Sequence, residues 1–163
     1  MSPEIDYPEL PDAPVERVRA ILEVILDWFD HDGEIEIRES DEEIKVSIEG
    51  DDDLGLLIGR HGQTIEAIQF ICYRAAFQHS DQRKRVIVDA AGYRERRVEI
   101  LEREAEAAVR RALDGGRPVP LSPMNSTERR VVHQYLKEQA GIETYSEGDE
   151  PDRRVVVAPL LPD

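Results

Sequence analysis

Two glycines three positions apart, Gly59 and Gly62, most limit the folds open to this chain. An apolar run ends at Ile58, and from Gln63 onward apolar residues recur at helical spacing. Glycine has no Cβ and accepts a positive φ, so a Gly-x-x-Gly loop can turn tightly and let another backbone come close. The sequence therefore predicts a short helix, a tight loop and a second helix over residues 63–78.

The same loop is a candidate site for binding nucleic acid. Arg60 supplies a full positive charge and His61 can add part of one. The second glycine also lies at a helix N-terminus, where backbone N–H groups and the helix dipole attract anions. These features favour binding of a phosphodiester backbone. The four residues taken alone fit a helix–turn–helix corner that merely needs glycine about equally well.

The patterns on both sides of the loop predict helices packed on a three-stranded sheet, an α+β unit. Helix 63–78 is expected to be buried on much of its circumference, and Trp28 is expected to cover one edge. Asp52 or Asp53 is expected to cap the short helix, in preference to a divalent-ion site at this acidic turn. The other segments are a helix at 15–29 and strands around 35–37, 44–48 and 86–88.

A second small unit of helices and strands follows. Asn125 or Ser126 is expected to cap its second helix, and Ser126 with Arg129 falls short of a capping box. The predicted segments are a long helix at 93–113, an extended stretch at 118–124, a helix at 127–139, and strands at 142–146 and 153–158. We expect a flexible acidic tail at 1–14, one domain at 15–90 and a second at 91–160.

A second candidate site lies on the predicted helix 127–139. Arg129 and His133 are four positions apart, so they share one helix face, and Arg130 lies beside them. Arginine can fork onto a phosphate, and histidine can donate hydrogen bonds or stack on a base. Nucleic-acid contact is therefore plausible, although a solvated helix face is the commoner reason for such spacing.

The net charge of −15 is unevenly distributed. Residues 1–58 hold 4 Lys+Arg against 19 Asp+Glu, whereas residues 59–163 hold 17 of each. Within residues 59–97 there are 8 basic and 4 acidic side chains. Because a surface field reaches only about 8 Å at physiological salt, the negative total does not exclude nucleic-acid binding at the loop.

Composition and motifs argue against a membrane-spanning protein and against an enzyme. No stretch of 18 apolar residues or signal peptide is evident, and Cys72 fits a buried structural thiol. The histidines lack metal-ligand spacing, so neither a metal nor a cofactor is expected. We expect a cytoplasmic binding protein. A weaker alternative is a nuclease in which His133 acts as base and Arg129 holds the phosphate.

Four stretches, in this order, resemble the bacterial Jag family, also described as SpoIIIJ-associated or KhpB proteins. They are residues 48–64 around the glycine loop, 89–97, 123–133 around Arg-x-x-x-His, and 143–157. The resemblance covers about residues 15–160. It implies a type II KH domain followed by a small domain named R-3-H after its Arg-x-x-x-His motif.

The resemblance also implies which residues meet the ligand, single-stranded RNA, with single-stranded DNA as an alternative. The loop would contact the backbone, and bases would lie in an apolar groove that draws on Ile58, Ile65, Ile68 and strand 86–88. The expected nucleic-acid-binding residues are Ile58, Gly59, Arg60, His61, Gly62, Gln63, Ile65, Arg129, Arg130 and His133. A heteromer with a lone-KH-domain protein, and roles in post-transcriptional regulation, chaperone activity, cell shape or cell-wall biogenesis, are implied as well.

The chain departs from the family pattern at two places. An acidic tail precedes the first helix where many members carry a separate N-terminal domain. Asn125-Ser126-Thr127 stands where the family pattern has Asn-Pro-Tyr, which would remove one aromatic stacking surface. The acidic front half also motivates a rival interpretation, a protein–protein adaptor that docks through residues 1–58 and contacts RNA only incidentally.

Overall fold

The computed structural model describes residues 11–50, 54–78, 80 and 83–160. The chain divides into two compact units, with the division between Tyr93 and Arg94. The α+β class predicted from the sequence is confirmed in both units. Among the helices that the structure describes, none is long and apolar enough to cross a membrane.

The first unit places its helices against one three-stranded sheet. Its elements are α1 (Pro14–Trp28), β1 (Glu34–Glu39), β2 (Glu43–Glu49), α2 (Gly55–Ile58), a 3₁₀ turn (Arg60–Gly62), α3 (Gln63–Ala76) and β3 (Arg85–Ala90). The strand order is β1-β2-β3. Strand β2 is antiparallel to β1 and parallel to β3, with Val46 opposite both Ile37 and Val88.

Alternation along β2 decides which sheet face is buried. Ile44, Val46 and Ile48 are buried, whereas Lys45 is exposed. The core is completed from α1, α3 and β3 by Val18, Leu22, Leu26, Ile65, Ile68, Cys72, Val86 and Val88. Burial raises the pKa of the Cys72 thiol to about 12, so this cysteine stays protonated at neutral pH and packs as an apolar side chain.

Two expectations about burial in this unit are wrong. Trp28 is 84% exposed and does not cover an edge of the unit. Helix α3 buries one face, and Phe70 and Ile71 on its outer face are exposed. The reason is geometric, because a helix lying on one side of a sheet buries a single stripe. The predicted caps at Asp52 and Asp53 lie outside the described residues, and the residue at the N-cap of α2 is Leu54.

The second unit packs two helices with another three-stranded sheet. Its elements are α4 (Tyr93–Gly115, whose first residue belongs to the first unit), β4 (Val119–Pro120), α5 (Ser126–Tyr135), β5 (Ile142–Glu147) and β6 (Arg154–Pro159). The order is β4-β6-β5, and both pairings are antiparallel. Buried residues from α4, α5 and β6, among them Leu101, Val132 and Val155, form its core.

The structure corrects the sequence-based prediction at β4 and α5. The stretch at 118–124 was predicted only to be extended, but β4 within it pairs with β6, with Val119 opposite Val157. The hairpin of β5 and β6 therefore gains a short edge strand. Proline is tolerated there because an edge position needs fewer N–H donors. Helix α5 ends at Tyr135 rather than residue 139. Its N-cap is Asn125, which forms a capping box with Glu128. The sequence-based prediction considered only Ser126 with Arg129 as a capping box and missed this pair.

Candidate nucleic-acid interface

The first glycine of the loop has a conformation that other residues avoid. Gly59 has φ 71° and ψ 179°, a region essentially restricted to glycine. A Cβ added there would overlap the Thr64 side chain, with the Thr64 Cβ 2.7 Å away and its backbone nitrogen 2.9 Å away. Gly59 therefore lets the start of α3 fold back tightly against the end of α2.

The second glycine is required by both conformation and packing. Gly62 is left-handed, with φ 76° and ψ 10°, and it forms the N-cap of α3. A Cβ there would lie 2.8 Å from Cε1 of Tyr93 and 3.1 Å from its hydroxyl oxygen. The Tyr93 ring thus supports the underside of the loop, a contact that the sequence pattern did not indicate.

The outer side of the loop presents cationic and donor groups. Arg60 is exposed and His61 is partly exposed, with a left-handed φ of 53°. Because the N-cap residue Gly62 has no side chain, it provides no side-chain acceptor for the first N–H groups of α3. An exposed guanidinium beside such a helix N-terminus suits an anion such as a phosphate oxygen.

The apolar residues beside the loop divide between core and surface. Ile65 is 1% exposed and Ile68 is 5% exposed, and both pack in the core of the first unit. Their α3 positions face the sheet, so little of either side chain remains at the surface for the expected apolar groove. Ile58 is partly exposed and Gln63 is exposed. These two residues therefore retain surface beside the glycine loop.

Arg129 lies in the second unit, held between two acceptors. Its Nη1 donates to the Met124 backbone oxygen at 2.8 Å, and its Nη2 lies 2.7 Å from Oε1 of Glu150. The Arg129 side chain is 11% exposed, whereas Glu150 is 58% exposed. The guanidinium is thus oriented by the backbone on one side and covered by a carboxylate on the other. Arg130, its neighbour on α5, is exposed.

His133 connects α5 with two hydroxyl groups on β5. Its Nδ1 lies 2.8 Å from Oγ1 of Thr144, and its Nε2 lies 3.0 Å from Oγ of Ser146. Burial, and then the positive charge of Arg129, lower the pKa of His133 below its ordinary value of 6.5. The ring is therefore neutral at pH 7, with one nitrogen donating and the other accepting.

Stability of the second unit should depend on pH through His133. As the pH falls through 6.5, the unfolded chain takes up a proton at this residue before the folded chain does, so stability decreases. His133→Gln keeps hydrogen-bonding groups without titrating. Denaturant unfolding from pH 8 to pH 5 should show a steeper loss in the parent than in this variant. Parallel curves for the two proteins would contradict the assignment.

A buried ion pair supports the residues around Arg129. Arg97 on α4 donates from Nε to Oε1 of Glu128 at 2.6 Å, and these side chains are 12% and 9% exposed. The second carboxylate oxygen of Glu128 accepts from the Asn125 backbone N–H at 3.1 Å, and Asn125 Oδ1 accepts from the Glu128 N–H at 2.9 Å. Glu128 therefore joins α4 to the N-terminus of α5, immediately before Arg129.

The site residues predicted from the sequence thus form two groups. Gly59, Arg60, His61 and Gly62 form one continuous loop in the first unit. In the second unit, Arg129 lies close enough to His133 to affect its pKa. Within residues 11–50, 54–78, 80 and 83–160, no group of three His, Cys, Asp or Glu side chains is arranged to hold a metal ion.

The partners of the second group were not predicted from the sequence. They are Glu150, which pairs with Arg129, and the hydroxyl residues Thr144 and Ser146, which bind His133. Thr144 and Ser146 are two positions apart on β5, so they lie on one face of the strand. This spacing was the signal in the sequence that both could face a helix.

Comparison with known proteins places both units in characterised domain families. Residues 16–89 match the KH domain of KhpA/KhpB, and residues 99–159 match the R-3-H domain. A protein of Clostridium symbiosum named RNA-binding protein KhpB is 37% identical over 124 residues, which cover 76% of this chain and 55% of the relative. Its namesake in Lactiplantibacillus plantarum is 42% identical over 104 residues, 64% of this chain and 32% of the relative.

The similarity to a third relative covers more of both chains. The protein of the same name in Bacillus subtilis is 31% identical over 147 residues, which cover 89% of this chain and 70% of that relative. The chain spans about half or less of the length of the first two relatives. With both domain matches in the same order, this similarity assigns the chain: it belongs to the KhpB family, also known as the Jag family.

Proposed function

We propose that this protein binds single-stranded RNA without catalysing a reaction, and that the glycine loop contacts the phosphate backbone. The observation that carries the proposal is the loop geometry. Two glycines adopt conformations and close contacts that exclude other residues, and between them an exposed Arg60 lies beside the N-terminus of α3. Such a surface recognises phosphate oxygens rather than base identity.

The second unit would supply a further contact through Arg129, Arg130 and His133. Arg130 is exposed, and the half-buried His133 ring is fixed by two hydroxyls, so both can meet a flexible strand. The names of the relatives, which describe them as RNA-binding proteins, support the same ligand class. Cytoplasmic location, a lone-KH partner, and the regulatory, chaperone and cell-wall roles enter this proposal through family resemblance alone.

Fluorescence anisotropy with a labelled single-stranded RNA pool tests the proposal. The logarithm of the affinity should fall linearly with the logarithm of salt concentration, because phosphate contacts release counterions. A duplex of the same sequences should bind more weakly, since a rigid A-form helix cannot fit its backbone to a tight loop as a flexible single strand can. The labelled RNA should remain intact, which distinguishes binding from the nuclease alternative. Binding no tighter to single strands than to duplex would contradict the proposal.

One observation favours a protein-docking function as the second candidate. In the acidic front half of the chain, α1 exposes the large apolar side chains of Val24 and Trp28. They are four positions apart and therefore share a helix face. If the parent protein binds no RNA above non-specific strength, this face is where a protein partner should be sought first, by cross-linking with Trp28→Ala as the comparison.

A further inference from the structure

The carboxylate of Glu150 pairs with the guanidinium of Arg129. Its Oε1 is 2.7 Å from Nη2 of Arg129. Glu150 belongs to the turn between β5 and β6, and its side chain is 58% exposed, whereas the Arg129 side chain is 11% exposed. The arginine is thus covered by a side chain that itself faces solvent.

The position of the Arg129 guanidinium is fixed on its other side. Its Nη1 donates to the Met124 backbone oxygen at 2.8 Å. The Asn125–Glu128 capping box holds the adjoining first turn of α5. A phosphodiester approaching from solvent would therefore meet Nη2, the donor that Glu150 already occupies. Carboxylate and phosphate oxygens bind a guanidinium with the same geometry, so the two compete for it.

We propose that Glu150 is an internal competitor for the nucleic-acid backbone and sets the affinity of the site at Arg129. This inference rests on the proposed function, because it requires Arg129 to contact the strand. Binding at this site then exchanges one anion for another on the same guanidinium. Since Glu150 is largely exposed and lies on a turn, it can move aside without disrupting the core of the second unit.

A pair of matched variants of the full chain tests the inference. Glu150→Gln removes the charge and keeps the side-chain size. Glu147→Gln removes the same charge from the end of β5, where Glu147 is exposed. In single-stranded RNA binding followed by anisotropy, Glu150→Gln should tighten binding about two- to fivefold, the range expected for a largely exposed ion pair. Glu147→Gln should have a smaller effect, limited by salt screening.

The variant Arg129→Ala distinguishes failure of the competitor role from failure of the contact. In this background Glu150→Gln should no longer tighten binding, because the guanidinium for which it competes is gone. If Arg129→Ala weakens binding but Glu150→Gln matches Glu147→Gln, the competitor role is overturned and the proposed contact stands. If Arg129→Ala leaves binding unchanged, the contact is overturned, and the competitor role with it. Circular dichroism melts establish that each variant is folded under the binding conditions.

Discussion

Replacing Glu128 with alanine should lower the free energy of unfolding of the second unit by about 1.5–3 kcal/mol, the range for a lost hydrogen bond to a charged group. The variant leaves the guanidinium of Arg97, 12% exposed, without the carboxylate 2.6 Å away. It also removes the capping-box acceptor for the Asn125 N–H. Losing a hydrogen-bonded carboxylate costs more at a buried guanidinium than at an exposed one, because water replaces the missing interaction less readily.

Denaturant unfolding followed by circular dichroism measures this change, and hydrogen exchange identifies the unit that loses protection. Glu138→Ala, at an exposed position shortly after α5, is the matched control and should change stability by less than about 0.5 kcal/mol. The double variant Arg97→Met/Glu128→Leu should recover much of the loss, since it removes both charges. Equal destabilisation by the Glu128 and Glu138 variants would rule out the buried-pair explanation.

Replacing both Arg60 and His61 with aspartate should weaken single-stranded RNA binding more than about tenfold and leave the first unit folded. The variant keeps Gly59 and Gly62 and reverses the charge between them. Arg60 is exposed and His61 is partly exposed, and neither belongs to the apolar core of the unit. Aspartate also tolerates the left-handed φ of 53° at position 61 better than most residues do.

The control for this variant changes charge by the same amount elsewhere on the first unit. Arg74 and Gln78 lie at and beyond the C-terminal end of α3, away from the glycine loop, and replacing both with aspartate adds an equal negative charge. Anisotropy at two salt concentrations compares the two double variants. Equal weakening would show that binding responds to net charge, and the loop would then have no special role.

Periodicity in the sequence was sufficient to predict the main helices and strands, but not which strands pair or which helix faces are buried. Strand β2 was predictable because Ile44, Val46 and Ile48 alternate with polar residues. Strand β4 was missed because two residues ending in proline carry no alternation, and their pairing with β6 depends on a segment far along the chain. The exposure of Phe70 was missed for a related reason, since a helix rich in apolar residues does not reveal which face finds a partner.

The candidate site shows the same division between local and distant information. Local spacing identified Gly59, Gly62, Arg129 and His133. Their partners lie farther along the chain, as Tyr93 does from Gly62 and Glu150 from Arg129. Those contacts are set by the packing within each unit, which a pattern of residue types does not encode. For Arg129, that packing means that the guanidinium is already paired with a carboxylate, which its helix position alone does not indicate.

The hydrogen bonds of His133 also bear on the fidelity of strand pairing. Thr144 and Ser146 face α5 because they are two positions apart on β5, opposite Val157 and Val155 of β6. A slip of β5 by one residue would turn both hydroxyls away and direct glutamate and tyrosine side chains toward a half-buried ring. One histidine therefore distinguishes the correct alignment of the hairpin from its nearest misfolded alternative.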